Sequence, residues 1–206
     1  GLVDTYDGSI QLIKHGDDFF SDMFMSQYKH NVIEMPEWLE EQIRYPQELF
    51  NWRTEMYNIY HVTDVDIFIQ ANEFYEIPRG LDTYYIQAKP PGFEEPEFVG
   101  LLSLELRGSQ GRNLAGYMVV ENDKPNLGDM QFYEVPIESD IKLLGPTSVR
   151  EALDRDPDFA QLKTLLRNPR IGDNILYQVG EHDTYFIPVY TAGAGGVVAQ
   201  LGTIAA

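Results

Sequence analysis

Arg44-Tyr45-Pro46-Gln47-Glu48-Leu49-Phe50, with Tyr60-His61-Val62-Thr63-Asp64 ten residues further on, is the stretch from which the chain can be read outward. Pro46 can open a helix, because the N–H it lacks would have found no partner in a first turn. Leu49, Phe50, Arg53, Met56, Tyr57 and Tyr60 then follow at spacings of three and four, which places them on neighbouring faces of one helix. By the same logic Pro36 opens a shorter helix over residues 36–43 that must stop before Pro46. The stretch therefore predicts a helix–helix corner, and Thr63 or Asp64 can cap a further short helix running through Ile69.

Toward the N-terminus, residues 3–13 read as a hairpin whose Asp7-Gly8 pair supplies a positive-φ turn. Residues 17–28 carry Phe19, Phe20, Met23 and Phe24 at helical spacing. From Tyr84 onward the texture changes to strands, over residues 84–88, 97–106, 114–120 and 130–136, separated by Pro, Gly and Asn. Gly145-Pro146-Thr147 introduces a helical stretch with Val149, Leu153, Phe159, Leu162, Leu165 and Leu166, which Asp156-Pro157 divides into two helices. Residues 174–179 and 184–190 make a last strand pair around Gly180-Glu181-His182-Asp183. The order of helices, sheet, helices and hairpin predicts an α+β fold: an antiparallel sheet, with helices grouped at the N-terminus and after the central strands. One domain is expected over residues 1–206, helical over about 17–75 and strand-rich over about 84–190. The apolar ending around Leu201 and Ile204 reads as an element cut before its partner, and Gly193 to Gly196 as a turn or frayed end.

At 206 residues, area scaling has on the order of 70% of the unfolded chain's surface buried on folding, so no covalent staple is required. With no cysteine in the chain, disulfides and thiolate chemistry are excluded. The 33 acidic residues against 15 basic give a formal net charge of -18. Such a surface repels phosphate backbones, and no basic stripe is present to release counterions, so nucleic-acid binding ranks last. The same charge opposes adsorption on anionic lipid, so any membrane association has to come through transmembrane segments outside this chain.

The opening Val3-Asp4-Thr5-Tyr6-Asp7-Gly8, then Met35-Pro36, the two words of the corner, Phe68, and Glu73-Phe74-Tyr75-Glu76-Ile77-Pro78 occur in an order that resembles uncharacterised protein family 0182, a group of large bacterial and archaeal membrane proteins. They look like that family's V-D-A-Y-D-G and D-x-W-x-[IV]-P words. Pro91-Gly92 with Glu97-Phe98-Val99, Arg112-Asn113-Leu114-Ala115, Gly145-Pro146 with Val149, and Ile187-Pro188-Val189-Tyr190 resemble later landmarks. The chain departs from the pattern at Asn51-Trp52-Arg53, at Tyr75 in place of Trp, and at Val65 in place of Pro. What the resemblance implies is a multi-pass membrane protein with a large soluble portion on the outer side of the membrane. This chain would be that portion. The sequence reads as a fragment accordingly, with no initiator Met, no signal segment and no apolar run near the roughly 18 residues that span a bilayer.

Residues that could carry chemistry are few. His61, inside a family word, could serve as a general base if Asp64 oriented its second ring nitrogen; equally, it could be a helix-end histidine bonded to backbone. Arg44 and Arg112 could clamp a carboxylate or phosphate, or form internal ion pairs in so acidic a chain. Arg44, Tyr45, Tyr60, His61 and Arg112 are accordingly the candidate binding positions, and His61 with Asp64 the catalytic candidates. Asp154, Asp156 and Asp158 have the alternate spacing that opens a calcium loop, but Phe159 and Leu165 stand where an EF-hand needs Gly and Glu, so a solvated helix boundary fits better. A calcium site from acids such as Glu94, Glu95 and Glu97 has no sequence signature, and the four histidines never fall at metal-ligand spacing. No cofactor other than calcium comes into question. Ser109 in Gly108-Ser109-Gln110-Gly111 lacks the spacing of a nucleophile elbow.

Two functions fit these residues. One is a binding or assembly module, with an envelope or membrane protein, or a second copy, as its partner. The other is an outer-face hydrolase or transferase that acts on a cell-envelope substrate through carboxylates and His61.

Overall fold

The computed structural model describes every residue except 72, 109–111, 136–141, 168, 181 and 193–198. It falls into two compact units, Gly1–Arg44 and Tyr45–Ala206. Ser109 and the glycines from 193 to 196 lie outside the described residues.

In the first unit, β1 (Leu2–Val3) and β2 (Ile10–Ile13) pair antiparallel, Leu2 opposite Gln11. The connection is wider than the expected two-residue turn. The Asp4 and Asp7 carboxylates take the N–H groups of Tyr6 and Ser9 at 2.7 and 2.8 Å, and such Asx turns favour a longer loop over a tight hairpin. Helix α1 (Phe19–Gln27) starts at Asp18, whose side chain accepts the Ser21 N–H at 2.9 Å. Strand β3 (Val32–Ile33) returns parallel to β2, Leu12 opposite Val32, so β2, α1 and β3 form a small crossover. Helix α2 (Glu37–Glu40) is one turn, shorter than residues 36–43. The helical spacing of Phe19, Phe20, Met23 and Phe24 is realised, but all four side chains are exposed.

The second unit begins with α3 (Gln47–Tyr60), entered at Pro46, and α4 (Val65–Gln70), capped by Asp64. A five-stranded antiparallel sheet follows, made of β4 (Tyr75–Glu76), β5 (Tyr84–Ala88), β6 (Glu97–Leu106), β7 (Leu114–Glu121) and β8 (Met130–Glu134). Strand β6 pairs β4 and β5 along one side and β7 along the other, and β8 is hydrogen-bonded to β7. Helices α5 (Pro146–Arg155) and α6 (Pro157–Leu165) are divided at Asp156, which ends one and caps the other by accepting the Phe159 N–H at 2.7 Å. A four-stranded sheet closes the chain: β9 (Arg170–Ile171), β10 (Ile175–Val179), β11 (His182–Ala192) and β12 (Ala199–Ala205). The fold is α+β with mainly antiparallel pairing, as the order of elements required. One expectation is corrected. Leu201 and Ile204 are not in an element without a partner, because β12 pairs β11 with Pro188 opposite Ile204 and Tyr190 opposite Leu201. Its small residues, Ala199, Gly202 and Ala205, hid the strand because they carry little β propensity.

The core lies on both faces of the five-stranded sheet. Every residue of β7 is buried, so this strand is covered above and below. Phe50 of α3 packs with Tyr75, Leu102, Leu104, Met118 and Val120 on one face. Val99, Leu101, Tyr117 and Val119 face the other way and pack with Leu176 of β10. The Tyr84 hydroxyl joins these layers, donating to the Leu176 carbonyl and accepting its N–H, both at 2.9 Å. Side-chain alternation slips phase once in β7. Leu104 stands opposite Gly116 but Glu105 opposite Leu114, a bulge that leaves Ala115 unpaired. Leu114 then shares the core of Tyr117 and Val119, while Ala115 joins that of Met118 and Val120.

Candidate functional site

Tyr45 is wedged against the turn between β7 and β8. Its N–H donates to Asn122 Oδ1 at 2.8 Å, and its hydroxyl accepts from Arg53 Nη1 at 2.8 Å. The same Arg53 nitrogen donates to the Gly128 carbonyl at 3.0 Å. Gly128 adopts φ 91°, and a Cβ there would come within 2.7 Å of the Tyr45 ring, so both backbone and contact demand glycine. This seat fixes the start of α3 to the sheet. Arg53→Lys, which keeps the charge but loses the planar fork, should lower stability by about 1 kcal/mol. Urea unfolding reads this directly, and an unchanged midpoint would mean that Arg53 does not hold the seat.

At the other end of α3, His61 occupies the C-cap position, and its Nδ1 lies 2.8 Å from the Tyr57 carbonyl. A carbonyl can only accept, so Nδ1 carries the proton. The imidazole stacks on Tyr75 at 4.0 Å and 15°, and on Tyr57 at 5.2 Å. Phe132 completes the group, 5.2 Å from Tyr75 and 5.0 Å from Tyr57. Tyr75 is 4% exposed. Its hydroxyl donates to Glu134 Oε1 at 3.0 Å, and burial, followed by that carboxylate, raises its pKa. Asp64 Oδ1 accepts the N–H groups of Asp66 and Ile67 at 2.9 and 3.0 Å. The orientation that general-base chemistry would require from Asp64 is therefore supplied to His61 by a backbone carbonyl, in a stack of rings.

Tyr60 is 67% exposed and stacks on Phe68 at 6.3 Å. Arg44 is exposed in the first unit. Arg112, in the second, takes φ 44°, and its carbonyl accepts from the Gly145 N–H at 2.9 Å and Ser148 Oγ at 3.2 Å. Its backbone thus supports the start of α5, where Glu105 is the central group. The structure gathers Tyr45 with Arg53, and His61 with Tyr57 and Tyr75. Among the described residues, no group of three or more His, Asp or Glu side chains could hold a metal ion.

Sequence reasoning missed Asn122, Gly128, Phe132 and Glu134, which come from the β7–β8 hairpin and are brought beside α3 and β4 by the pairing of the sheet. It also missed a cavity of about 400 Å³ framed by residues 78–81, α5 and residues 171–174. There Arg150 donates to the Gly172 carbonyl at 2.9 Å and to Asn174 Oδ1 at 3.4 Å. Asn174, 7% exposed, donates in turn to the Pro146 carbonyl at 2.6 Å. The two faces of α3 differ as well. Phe50, Thr54 and Asn58 are buried, while Leu49, Trp52, Met56 and Tyr60 form an exposed apolar stripe, centred roughly 155° round the helix at 100° per residue. The spacing of three and four placed Leu49, Met56 and Tyr60 on this helix without separating them from the buried face or including Trp52.

The model of an uncharacterised protein family, UPF0182, matches residues 2–166. A UPF0182 protein of Sulfurovum sp. (strain NBC37-1) is 28% identical over 97% of this chain and 23% of its own length. One from Methanospirillum hungatei JF-1 is 30% identical over 97% of this chain and 24% of its own. One from Salinibacter ruber is 27% identical over 92% of this chain and 21% of its own. The chain thus spans about a quarter of the length of these curated relatives. No solved structure matches it.

Proposed function

The chain belongs to the uncharacterised protein family UPF0182, and on that premise we propose that it is an extracytoplasmic assembly module, docking through the outer stripe of α3 onto protein in the cell envelope. The stripe itself carries this reading. Leu49, Trp52, Met56 and Tyr60 are 41–67% exposed along one line of a helix whose other apolar face already packs on the sheet. Contiguous exposed aromatic and Met side chains are the composition of interface cores. Glu48 borders the stripe at its N-terminal end, so a partner with an apolar ridge and a basic flank there fits it best. Because the relatives are about four times as long as this chain, the remainder of the full-length protein is the first such partner to consider. The exposed Phe19, Phe20, Met23 and Phe24 of α1 support the same reading. No helix among the described residues is long and apolar enough to cross a membrane, so in this reading the anchor lies elsewhere in the full-length protein.

The hydrolase or transferase alternative is less favoured, because the His61 ring is stacked on Tyr75 and Tyr57 and Asp64 commits Oδ1 to two helix N–H groups, so the His61–Asp64 pair that it needs is not made. The test is site-specific photo-crosslinking in full-length protein in its native membrane, with the photoreactive residue replacing Trp52 or Met56, and Glu55 as the control. Links from the first two to one defined protein segment, and few from Glu55, are expected. Equal or absent linking at all three positions would overturn the docking role. In the isolated chain Trp52→Asp should change stability by no more than about 0.5 kcal/mol, since the indole is solvated there.

A further inference from the structure

We propose that the cavity between the β4–β5 loop, α5 and the β9–β10 loop binds a small zwitterion, an amino acid or short peptide, through Arg79 and Arg150 on its carboxylate and Asp173 on its amine. The proposal is independent of the docking face on α3. A volume of about 400 Å³ suits a small molecule, whose sites run from roughly 300 to 1,000 Å³.

The local charge runs against that of the whole chain. Glu151 and Asp154 line the cavity, but Arg155 holds the first at 3.1 Å and Lys163 the second at 3.0 Å. What remains is two guanidinium groups against one carboxylate. Arg150 spends one nitrogen on the neutral acceptors Gly172 and Asn174, which hold the group in place without cancelling its charge. Asn174 is itself fixed by the Pro146 carbonyl, so the fork is positioned before any ligand arrives. Arg79 is exposed and makes no ion pair among the described residues, and the same holds for Asp173. Two guanidinium groups lining one cavity can meet the two oxygens of a carboxylate. Asp173 answers an ammonium group, and repels the second charge of a phosphate dianion, which selects the zwitterion.

The test is NMR of the arginine Nε–Hε groups in the ¹⁵N-labelled chain, titrated with L-alanyl-L-alanine, acetate and inorganic phosphate. The dipeptide should give saturable shifts at Arg79 and Arg150, with acetate about tenfold weaker, a difference of about 1.4 kcal/mol. Arg79→Ala, at an exposed position that makes no ion pair among the described residues, keeps the fold and should weaken dipeptide binding about tenfold. Asp173→Asn should erase the preference for dipeptide over acetate. An absence of saturable shifts with the dipeptide, unaltered binding in Arg79→Ala, or phosphate binding tighter than the dipeptide would each overturn the assignment.

Discussion

Gly116→Ala should lower the stability of the second unit by about 3 kcal/mol or more, a large share of the 5–15 kcal/mol of a typical domain. Gly116 sits where β7 slips phase, and a Cβ there would stand 2.2 Å from the Tyr133 carbonyl oxygen and 2.7 Å from the Phe132 ring. Neither neighbour can yield easily. The carbonyl belongs to the backbone of β8, paired with β7, and Phe132 is held in the ring group with Tyr57 and Tyr75. The same methyl at Gly100 meets only the side chains of Val120 and Tyr85, at 2.9 and 3.0 Å. Side chains can shift, so Gly100→Ala should cost about 1 kcal/mol. Urea midpoints of the two variants measure the contrast, and equal losses would contradict the strain assigned to the bulge.

The second large effect lies at Glu105, whose residue is 1% exposed at the start of α5. Its carboxylate accepts the Thr147 N–H at 2.7 Å and the Thr147 hydroxyl at 3.1 Å, capping a helix from a distant strand. Gly145 makes room for it, since a Cβ there would lie 2.6 Å from both Glu105 Oε1 and the Arg112 carbonyl. Glu105→Ala strands both donors and opens a void, and should cost about 2–4 kcal/mol. Glu105→Gln keeps an acceptor for the N–H and removes the charge, so it should cost far less.

The pH dependence separates those two roles. Burial pushes the Glu105 carboxyl above its ordinary 4.5, outweighing the two hydrogen bonds from Thr147 and the nearby Arg112, which pull it down. A raised folded-state pKa means the folded chain holds the proton more tightly. That contribution is complete below the unfolded value and is lost as pH rises through the folded one. Burial raises Asp183 in the same sense, and burial with Glu121 and Asp123 raises Glu97. Acidification from neutral pH toward the ordinary carboxylate value of 4.5 should therefore stabilise the second unit, and Glu105→Gln should flatten that gain. In the first unit the sign reverses. Asp7, Asp17 and Asp18 are lowered by hydrogen bonds from Ser9, Lys14 and Ser21, so their contribution is lost as pH falls through the lowered values.

Much of this was legible in the sequence because it is local. The bounds of β5 and β6 follow from apolar runs between turn residues, the division of α5 from α6 from Asp156-Pro157, and the start of α4 from Asp64. What could not be read depends on residues far apart in the chain. Asn122 and Gly128 seat Tyr45 across more than seventy positions, and Glu134 reaches Tyr75 only because β8 and β4 flank the same sheet. The slip at Gly116 leaves no trace in a sequence where every residue of the strand is buried and the alternation of polar and apolar vanishes. The cavity was missed for a similar reason. Arg79, Arg150 and Asp173 come from three segments, and no short spacing records their meeting.

The central claim, that the outer stripe of α3 is a covered docking face in the full-length protein, is tested most directly by cysteine accessibility. This chain has no cysteine of its own, so Trp52→Cys, Met56→Cys and Glu55→Cys each add one reporter to it. The account predicts that a maleimide labels all three readily in the isolated chain, whereas in full-length protein in its membrane positions 52 and 56 are protected and position 55 stays reactive. Labelling of 52 and 56 at the same rate in both settings would contradict it.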